Sequence, residues 1–168
     1  YDRTPWDRET IQARVSVLSE LAALRREPKQ GSQLLIAASI WSLMAKIPTP
    51  RALLRAEQRL EQGQVVAMYD LIERLVRAGY EPVAVVEEPG TFGHRGSLVD
   101  VYPPNLSGPV RIDFFGDEVD SIRTFDPGTQ RTLETLPAIA LAPASEALPE
   151  WGLAARAALE AWDLANCT

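Results

Sequence analysis

The feature that most constrains the fold is a series of short strand patterns in the second half of the chain. Pro, Gly, Asn or Asp residues separate these patterns, which lie at residues 80–86, 97–102, 110–115, 118–125, 131–134 and 139–141. Gly116 and Asp117 leave a two-residue connection typical of a β-hairpin, and Asp126-Pro127-Gly128 predicts a second turn. The sequence therefore predicts a small antiparallel sheet.

Helices and one short strand are predicted ahead of this sheet. Thr4, Pro5 and Asp7 are typical of a helix start, and apolar residues at helical spacing continue to about Arg26. Shorter patterns predict a helix at residues 50–54, a polar strand at 58–61 and an amphipathic helix at 68–76 that Gly79 would end. We expect helices to flank the sheet.

An apolar run at residues 34–38 indicates a second structural unit. Consecutive apolar residues are typical of a parallel strand covered on both faces, and Ser39 can cap a short helix through Ala45. Pro48 and Pro50 mark the boundary that follows. The predicted fold class is α/β in the α+β sense, with a small antiparallel sheet flanked by helices and a partial parallel α/β subdomain. The predicted division is 1–48 for that subdomain, 49–144 for the sheet module and 145–168 for a tail helix.

The residue inventory argues against catalysis. The sequence has one cysteine, Cys167, and one histidine, His94, so it offers neither an intrachain disulfide nor a Cys/His zinc site, and a reducing compartment is expected. No phosphate-binding glycine loop occurs, and the position of His94 between Gly93 and Arg95 predicts a solvated loop. The longest apolar stretch, 34–45, is too short to span a membrane. We expect no catalytic residue, cofactor-binding residue or metal site.

Two other function classes stay open at this point. Asp100, Asp113 and Asp117 could gather a divalent cation in a hydrolase, because hard cations prefer several oxygen ligands. The first 60 residues carry a net charge of +4 and the rest a net charge of −10, so the basic first part could bind nucleic acid through phosphate contacts. The overall charge of −6 argues against extensive binding of nucleic acid.

The residues at 111–115 indicate a protein-binding surface. Successive side chains of a strand point to opposite faces, which places Ile112 and Phe114 on one face and Arg111, Asp113 and Phe115 on the other. If Ile112 and Phe114 face the core, Phe115 is a large aromatic side chain on the outer face beside an arginine. These residue types dominate protein interfaces. Cover by a neighbouring helix of the intact protein is the alternative interpretation.

A set of short motifs resembles a known family. The motifs are GYE at 79–81, EPG at 88–90, RG at 95–96, VDVYPP at 99–104, PVRIDFFGDE at 109–118, FDP at 125–127, TQR at 129–131 and PA at 143–144. Together they are similar to the UvrB-homology module of bacterial transcription-repair coupling factors (Mfd) and of the excision-repair protein UvrB. The run TQRTL at 129–133 resembles the coupling factors more than UvrB. The equivalent module of UvrB itself is the alternative within the family.

The resemblance implies a function in DNA repair. Coupling factors are large cytoplasmic bacterial ATPases that displace RNA polymerase stalled on damaged double-stranded DNA and recruit excision repair by binding UvrA. The chain resembles only their amino-terminal UvrB-like part, so ATP and magnesium are expected in motor domains outside it and no cofactor is expected within it. The implied role is a non-catalytic adaptor, and the UvrA-contacting positions of the family fall on Arg95, Arg111 and Phe115.

Overall fold

The computed structural model describes residues 7–26, 35–40 and 47–146 of the chain. Its helices are α1 (Arg8–Arg26), α2 (Pro50–Ala56) and α3 (Met68–Arg77). Its strands are β1 (Gln58–Glu61), β2 (Glu81–Pro82), β3 (Thr91–Arg95), β4 (Leu98–Tyr102), β5 (Val110–Phe115), β6 (Glu118–Phe125), β7 (Thr132–Leu136) and β8 (Ala138–Leu141). None of the described helices is long and apolar enough to cross a membrane.

Six strands form one sheet in the order β2-β3-β4-β5-β6-β7, and β1 pairs with β8 in a separate two-stranded sheet. Neighbouring strands are antiparallel except β2 and β3, which are parallel. The predicted α+β class is confirmed, and β5 and β6 have the predicted bounds. Gly116 has a φ of +64°, which is the left-handed conformation that the first position of a type II′ hairpin turn requires.

The core lies between α3 and one face of the six-stranded sheet, which we call the inner face. Leu71 and Leu75 of α3 are fully buried and belong to the same cluster as Val99, Ile112 and Ile122 of the sheet. The helix is amphipathic, so that its apolar stripe covers the sheet and its charged residues face solvent. The predicted ending at Gly79 is confirmed by its φ of +88°.

Tyr80 joins the end of α3 to the segment that follows β8. Its buried hydroxyl donates to the carbonyl oxygen of Ala142 at 2.5 Å, and the backbone N–H of Ala144 donates to the carbonyl of Ala78 at 2.9 Å. Burial raises the pKa of the Tyr80 phenol well above its ordinary value, so the hydroxyl remains a donor at neutral pH. The two hydrogen bonds close one end of the core.

The ends of the first two helices follow from local chemistry. The Asp7 carboxylate accepts a hydrogen bond from the Thr10 N–H at 2.7 Å, so Asp7 caps α1. The predicted cap at Thr4 lies outside the described residues. The Thr49 hydroxyl caps α2 by accepting from the Ala52 N–H at 3.2 Å, with Pro50 in the first turn.

Charge complementarity fixes α1 to the rest of the chain. Few of its side chains are fully buried, and these are Val15 and Ala22. Three of its arginines form ion pairs with glutamates from separate parts of the chain, namely Arg8 with Glu81, Arg14 with Glu146 and Arg26 with Glu57. The Arg14–Glu146 pair is half-buried and doubly hydrogen-bonded. The positive charge of the first 60 residues is therefore used in part to bind the acidic remainder of the chain.

Three sequence-based predictions need correction. The parallel strand predicted at 34–38 is wrong for the described residues 35–38, which lie in no strand, and Leu35 is 95% exposed. A parallel strand requires a neighbour on which to pair, and the described part of the chain provides none for this segment. Residues 80–86 form only the two-residue β2. His94 lies in strand β3 rather than in a loop, although its side chain is exposed as expected.

The remaining predicted elements agree closely with the structure. The helix predicted at 50–54 extends two residues further as α2, and the strand predicted at 58–61 is β1. The turn at Asp126-Pro127-Gly128 is present, with the Asp126 carboxylate accepting from the Thr129 N–H at 2.7 Å. The helices predicted after Ser39 and in the tail at 145–168 lie outside the described residues almost entirely.

We predict that Tyr80→Phe lowers the free energy of unfolding by about 1 to 2 kcal/mol, because the Ala142 carbonyl loses its buried donor. Urea denaturation measures this as a lower midpoint with an unchanged slope. The matched control is Tyr69→Phe, since the Tyr69 side chain is 72% exposed on α3. Equal midpoints for the two variants would show that the Tyr80 hydrogen bond contributes nothing.

Candidate protein-binding face

The face of the six-stranded sheet that points away from α3 carries all three predicted partner-binding positions. We call it the outer face, and it includes Arg95, Leu98, Asp100, Arg111, Asp113, Phe115 and Arg123. The register places Arg95 opposite Leu98 and Leu98 opposite Asp113. It also places Asp100 opposite Arg111 and Arg111 opposite Arg123. Directly opposed residues share a face, so β3, β4 and β5 bring Arg95, Arg111 and Phe115 onto one surface.

Arg111 occupies the centre of this face and is already paired. Its Nε and Nη2 atoms donate to the two carboxylate oxygens of Asp100, each at 2.7 Å, and Nη2 lies 3.3 Å from Oε1 of Gln130. The guanidinium also lies over the ring of Phe125, 4.6 Å from its centroid. The hydrogen bond to Asp100 raises the pKa of Arg111, so the group stays charged. Arg111 is therefore fixed by three partners.

Short loops cover the centre of the outer face from both sides. On one side Val86 is buried and packs toward Gly93, where a Cβ atom would lie 2.8 Å from the carbonyl oxygen of Val83. On the other side Gln130 has a φ of +60° and its side-chain amide donates to the carbonyl of Pro127 at 2.7 Å. The glycine at position 93 is thus required by a close approach of backbone. Between the loops, Asp100 is buried and the Arg111 side chain paired with it is mostly buried.

The three aspartates of the hydrolase hypothesis do not form a cation site. Both oxygens of Asp100 are bound by Arg111. Asp113 accepts from the Ser97 hydroxyl at 3.1 Å and from Nη2 of Arg123 at 3.4 Å. Within the residues that the structure describes, no group of three or more His, Cys, Asp or Glu side chains is arranged to hold a metal ion. Asp100 and Asp113 instead neutralise Arg111 and Arg123.

Phe115 and Arg95 differ from Arg111 in being available to a partner. Phe115 is the last residue of β5, next to the hairpin turn, and is 83% exposed. The exposed Arg95 side chain ends β3, and none of the described residues accepts a hydrogen bond or forms an ion pair with it. From strand spacing, the Cα atoms of Arg95 and Phe115 lie roughly 12 Å apart. The exposure of Phe115 rules out cover by a neighbouring helix from the described part of the chain.

Arg123 belongs to this face but is absent from the sequence prediction. Strict alternation from the buried Val119 would place positions 121, 123 and 125 on the inner face. The register instead shifts within β5. Asp113 pairs with Ser121 of β6, but the next residue, Phe114, pairs with Val119, so the register skips one residue of β6. This β-bulge inverts the rest of β6, so that Ile122 faces inward while Arg123 and Phe125 face outward. The Nε atom of Arg123 is buried without a hydrogen-bond partner.

Comparison with known proteins identifies the module that contains this face. Residues 59–146 match the family described as the UvrB interaction domain. The transcription-repair-coupling factor of Myxococcus xanthus is 39% identical over 149 residues, which is 88% of this chain and 12% of that protein. The coupling factor of Escherichia coli is 35% identical over 147 residues, which is 87% of this chain and 12% of that protein.

UvrB proteins match a smaller part of the chain. The UvrABC system protein B of Thermosipho africanus is 38% identical over 87 residues, which is 52% of this chain and 13% of that protein. The chain therefore spans about an eighth of the length of these relatives, and the coupling factors match it well beyond the part that UvrB shares.

We predict effects of different size on stability for the two predicted arginine contacts. Arg111→Ala should lower the free energy of unfolding by about 2 kcal/mol, because it leaves the buried Asp100 carboxylate without its partner. Arg95→Ala should change it by less than about 0.5 kcal/mol, because Arg95 is exposed and unpaired among the described residues. Urea denaturation of both variants measures the difference, and an equal loss in the two would contradict the distinction.

Proposed function

The chain belongs to the UvrB interaction domain family and corresponds to the UvrB-homology region of transcription-repair coupling factors, and on this premise we propose that it is an adaptor module that binds UvrA through its outer face. The observation that carries the proposal is the exposure of Phe115, an aromatic residue of strand β5 that is 83% exposed. An aromatic side chain held on a rigid strand loses little conformational entropy on binding, which favours it as an interface anchor.

The three family positions have different roles in this proposal. Phe115 enters an apolar pocket of UvrA, and Arg95 supplies a free guanidinium that can pair with carboxylate or carbonyl oxygens. Arg111 acts mainly as a positioning residue, because two of its nitrogen atoms already bind Asp100. Among the described residues, only its Nη1 atom remains without a hydrogen-bond partner. The exposed contacts are thus expected at the hairpin end of the face rather than at its centre.

The wider role follows from the family and goes beyond this chain. We propose that the module is part of a larger bacterial cytoplasmic protein that displaces stalled RNA polymerase on double-stranded DNA and recruits excision repair. ATP and magnesium would act in its motor domains. The module itself would recruit UvrA without catalysis, since its exposed groups, Phe115 and Arg95, are of the kind that bind proteins.

The proposal predicts that Phe115→Ala weakens UvrA binding by about 1 to 3 kcal/mol, the range typical of interface anchors. Titration of purified UvrA with the wild-type chain and the variant, by calorimetry or fluorescence anisotropy, measures the loss. Tyr69→Ala is the matched control, because Tyr69 is another exposed aromatic residue but lies on α3, on the opposite side of the sheet. A folded wild-type chain that does not bind UvrA, or full affinity in Phe115→Ala, would refute the proposal.

A second prediction concerns Arg95. Arg95→Ala should weaken UvrA binding by about 1 kcal/mol and make the affinity less dependent on salt concentration, because an exposed charged contact is screened by ions. Arg95→Lys should keep most of the salt dependence while losing the bidentate geometry. Arg51→Ala on α2 is the control, since Arg51 is also exposed. Unchanged affinity and salt dependence in Arg95→Ala would remove this residue from the site.

A further inference from the structure

The segment between β1 and α3 lies along the hairpin that ends in Phe115. The N–H of Val66 donates to the carbonyl of Asp117 at 2.7 Å, and the N–H of Val119 donates to the carbonyl of Gln64 at 2.9 Å. These two hydrogen bonds enclose an isolated antiparallel bridge between Val65 and Glu118. The start of β6 is therefore flanked by β5 on one side and by this segment on the other.

This bridge places Val65 on the outer face. Its neighbours Val66, Val119 and Phe114 are buried in the inner-face core, so the alternate positions Val65, Glu118 and Phe115 point the other way. Val65 is 76% exposed. Glu118 is paired with Val65 by the bridge and with Phe115 by the hairpin register. The three residues form one row across the sheet, which we call the tip row.

The tip row brings two exposed apolar side chains close to each other. Directly opposed residues in neighbouring antiparallel strands are about 5 Å apart, so Val65 and Phe115 lie about 10 Å apart with Glu118 between them. A single apolar pocket with a polar rim on a partner protein is wide enough to contact both side chains. Nothing in the family motifs marks Val65, because it precedes them and its place beside the hairpin depends on tertiary pairing.

We propose that Val65 is a second apolar contact for UvrA and that Glu118 pairs with a basic side chain of UvrA between the two apolar contacts. This inference rests on the proposed function and adds to it. The tip row continues directly from Phe115, so a partner that buries Phe115 also approaches Val65. Glu118 forms no ion pair within the described residues, and it would bind a cation supplied by the partner.

Charge argues for UvrA rather than a second copy of this chain as the occupant. Asp117, Glu118 and Asp120 are exposed at this end of the hairpin, and none of them has an ion-pair partner among the described residues. A symmetric dimer built on the tip row would bring the same acidic groups of both copies together, and like charges across an interface oppose binding. A basic, apolar surface of a different protein has no such cost.

The test is a titration of UvrA with Val65→Ala beside the wild-type chain and Phe115→Ala. We expect Val65→Ala to weaken binding by about three- to tenfold, as a secondary contact next to an anchor. Val76→Ala is the matched control, because Val76 is also exposed but lies on α3, on the other side of the sheet; its affinity should match the wild type. Thermal melts confirm that the variants are folded.

Charge reversal tests the second half of the inference. Glu118→Lys should weaken UvrA binding by more than about tenfold, and Glu118→Gln should weaken it less, because reversal adds repulsion to the loss of the pair. Glu20→Lys on the exposed side of α1 is the control for a general effect of charge. An effect of Glu118→Lys no larger than that of Glu20→Lys would overturn the role of Glu118.

The outcomes separate this inference from the proposed function. Loss of binding in Phe115→Ala with full affinity in Val65→Ala would overturn the role of Val65 and leave the adaptor function intact. Absence of UvrA binding by the folded wild-type chain would overturn both. A wild-type dimer in sedimentation that Val65→Ala dissociates would identify a second copy as the occupant and would also overturn the inference.

Discussion

The outer face depends on the ion pair between Asp100 and Arg111. Both contacts are 2.7 Å long, and the guanidinium is stacked on the buried ring of Phe125. The pair links β4 to β5 directly across the sheet, and through Gln130 it reaches the turn that follows β6. A buried charge such as that of Asp100 is tolerated only when its partner satisfies it. The Asp100–Arg111 pair at the centre of the face is consequently neutral and covered by loops.

Because the Asp100–Arg111 pair at the centre of the outer face is covered by loops, the hairpin end of the sheet is the part that can recognise another protein. Phe115, Val65 and Arg95 project from rigid strands or from a segment tied to them by backbone hydrogen bonds. Their backbone positions are set by strand pairing before a partner arrives, which lowers the entropic cost of binding. The acidic residues beside them add a charge pattern that selects among partners more than it adds affinity. The outer face therefore carries one arginine that stabilises the sheet, Arg111, and one that is available to a partner, Arg95.

The sequence patterns predicted the strands that have strong local signals. They missed the strands that depend on contacts between residues distant in the sequence. Residues 110–125 were predictable because period-two alternation and the Gly116 turn act within one hairpin. β3 was missed because Gly93 resembles a loop residue, whereas its lack of a side chain serves the approach of the Val83 carbonyl. The outward position of Phe115 was predictable from alternation alone. Alternation also placed Arg111 on that face, the family resemblance added Arg95, and the register then placed the three on one face.

Other features of the site could not be read from the sequence. The partner of Arg111 lies eleven residues away, and only the register identifies it. The outward positions of Arg123 and Phe125 result from a bulge that no local pattern marks, and Val65 depends on a single bridge. The apolar run at 34–38 was misread because it satisfies the pattern of a buried strand without having a strand beside it in the described residues.

In the proposed complex, UvrA covers the outer face at the hairpin end and leaves the α3 side open. Hydroxyl-radical footprinting of the chain with and without UvrA tests this most directly, since Phe115 and Tyr69 are both exposed aromatic rings on opposite sides of the sheet. We expect UvrA to protect Phe115 from oxidation and to leave Tyr69 unchanged. Protection of Tyr69 with unchanged oxidation of Phe115 would contradict this placement of UvrA.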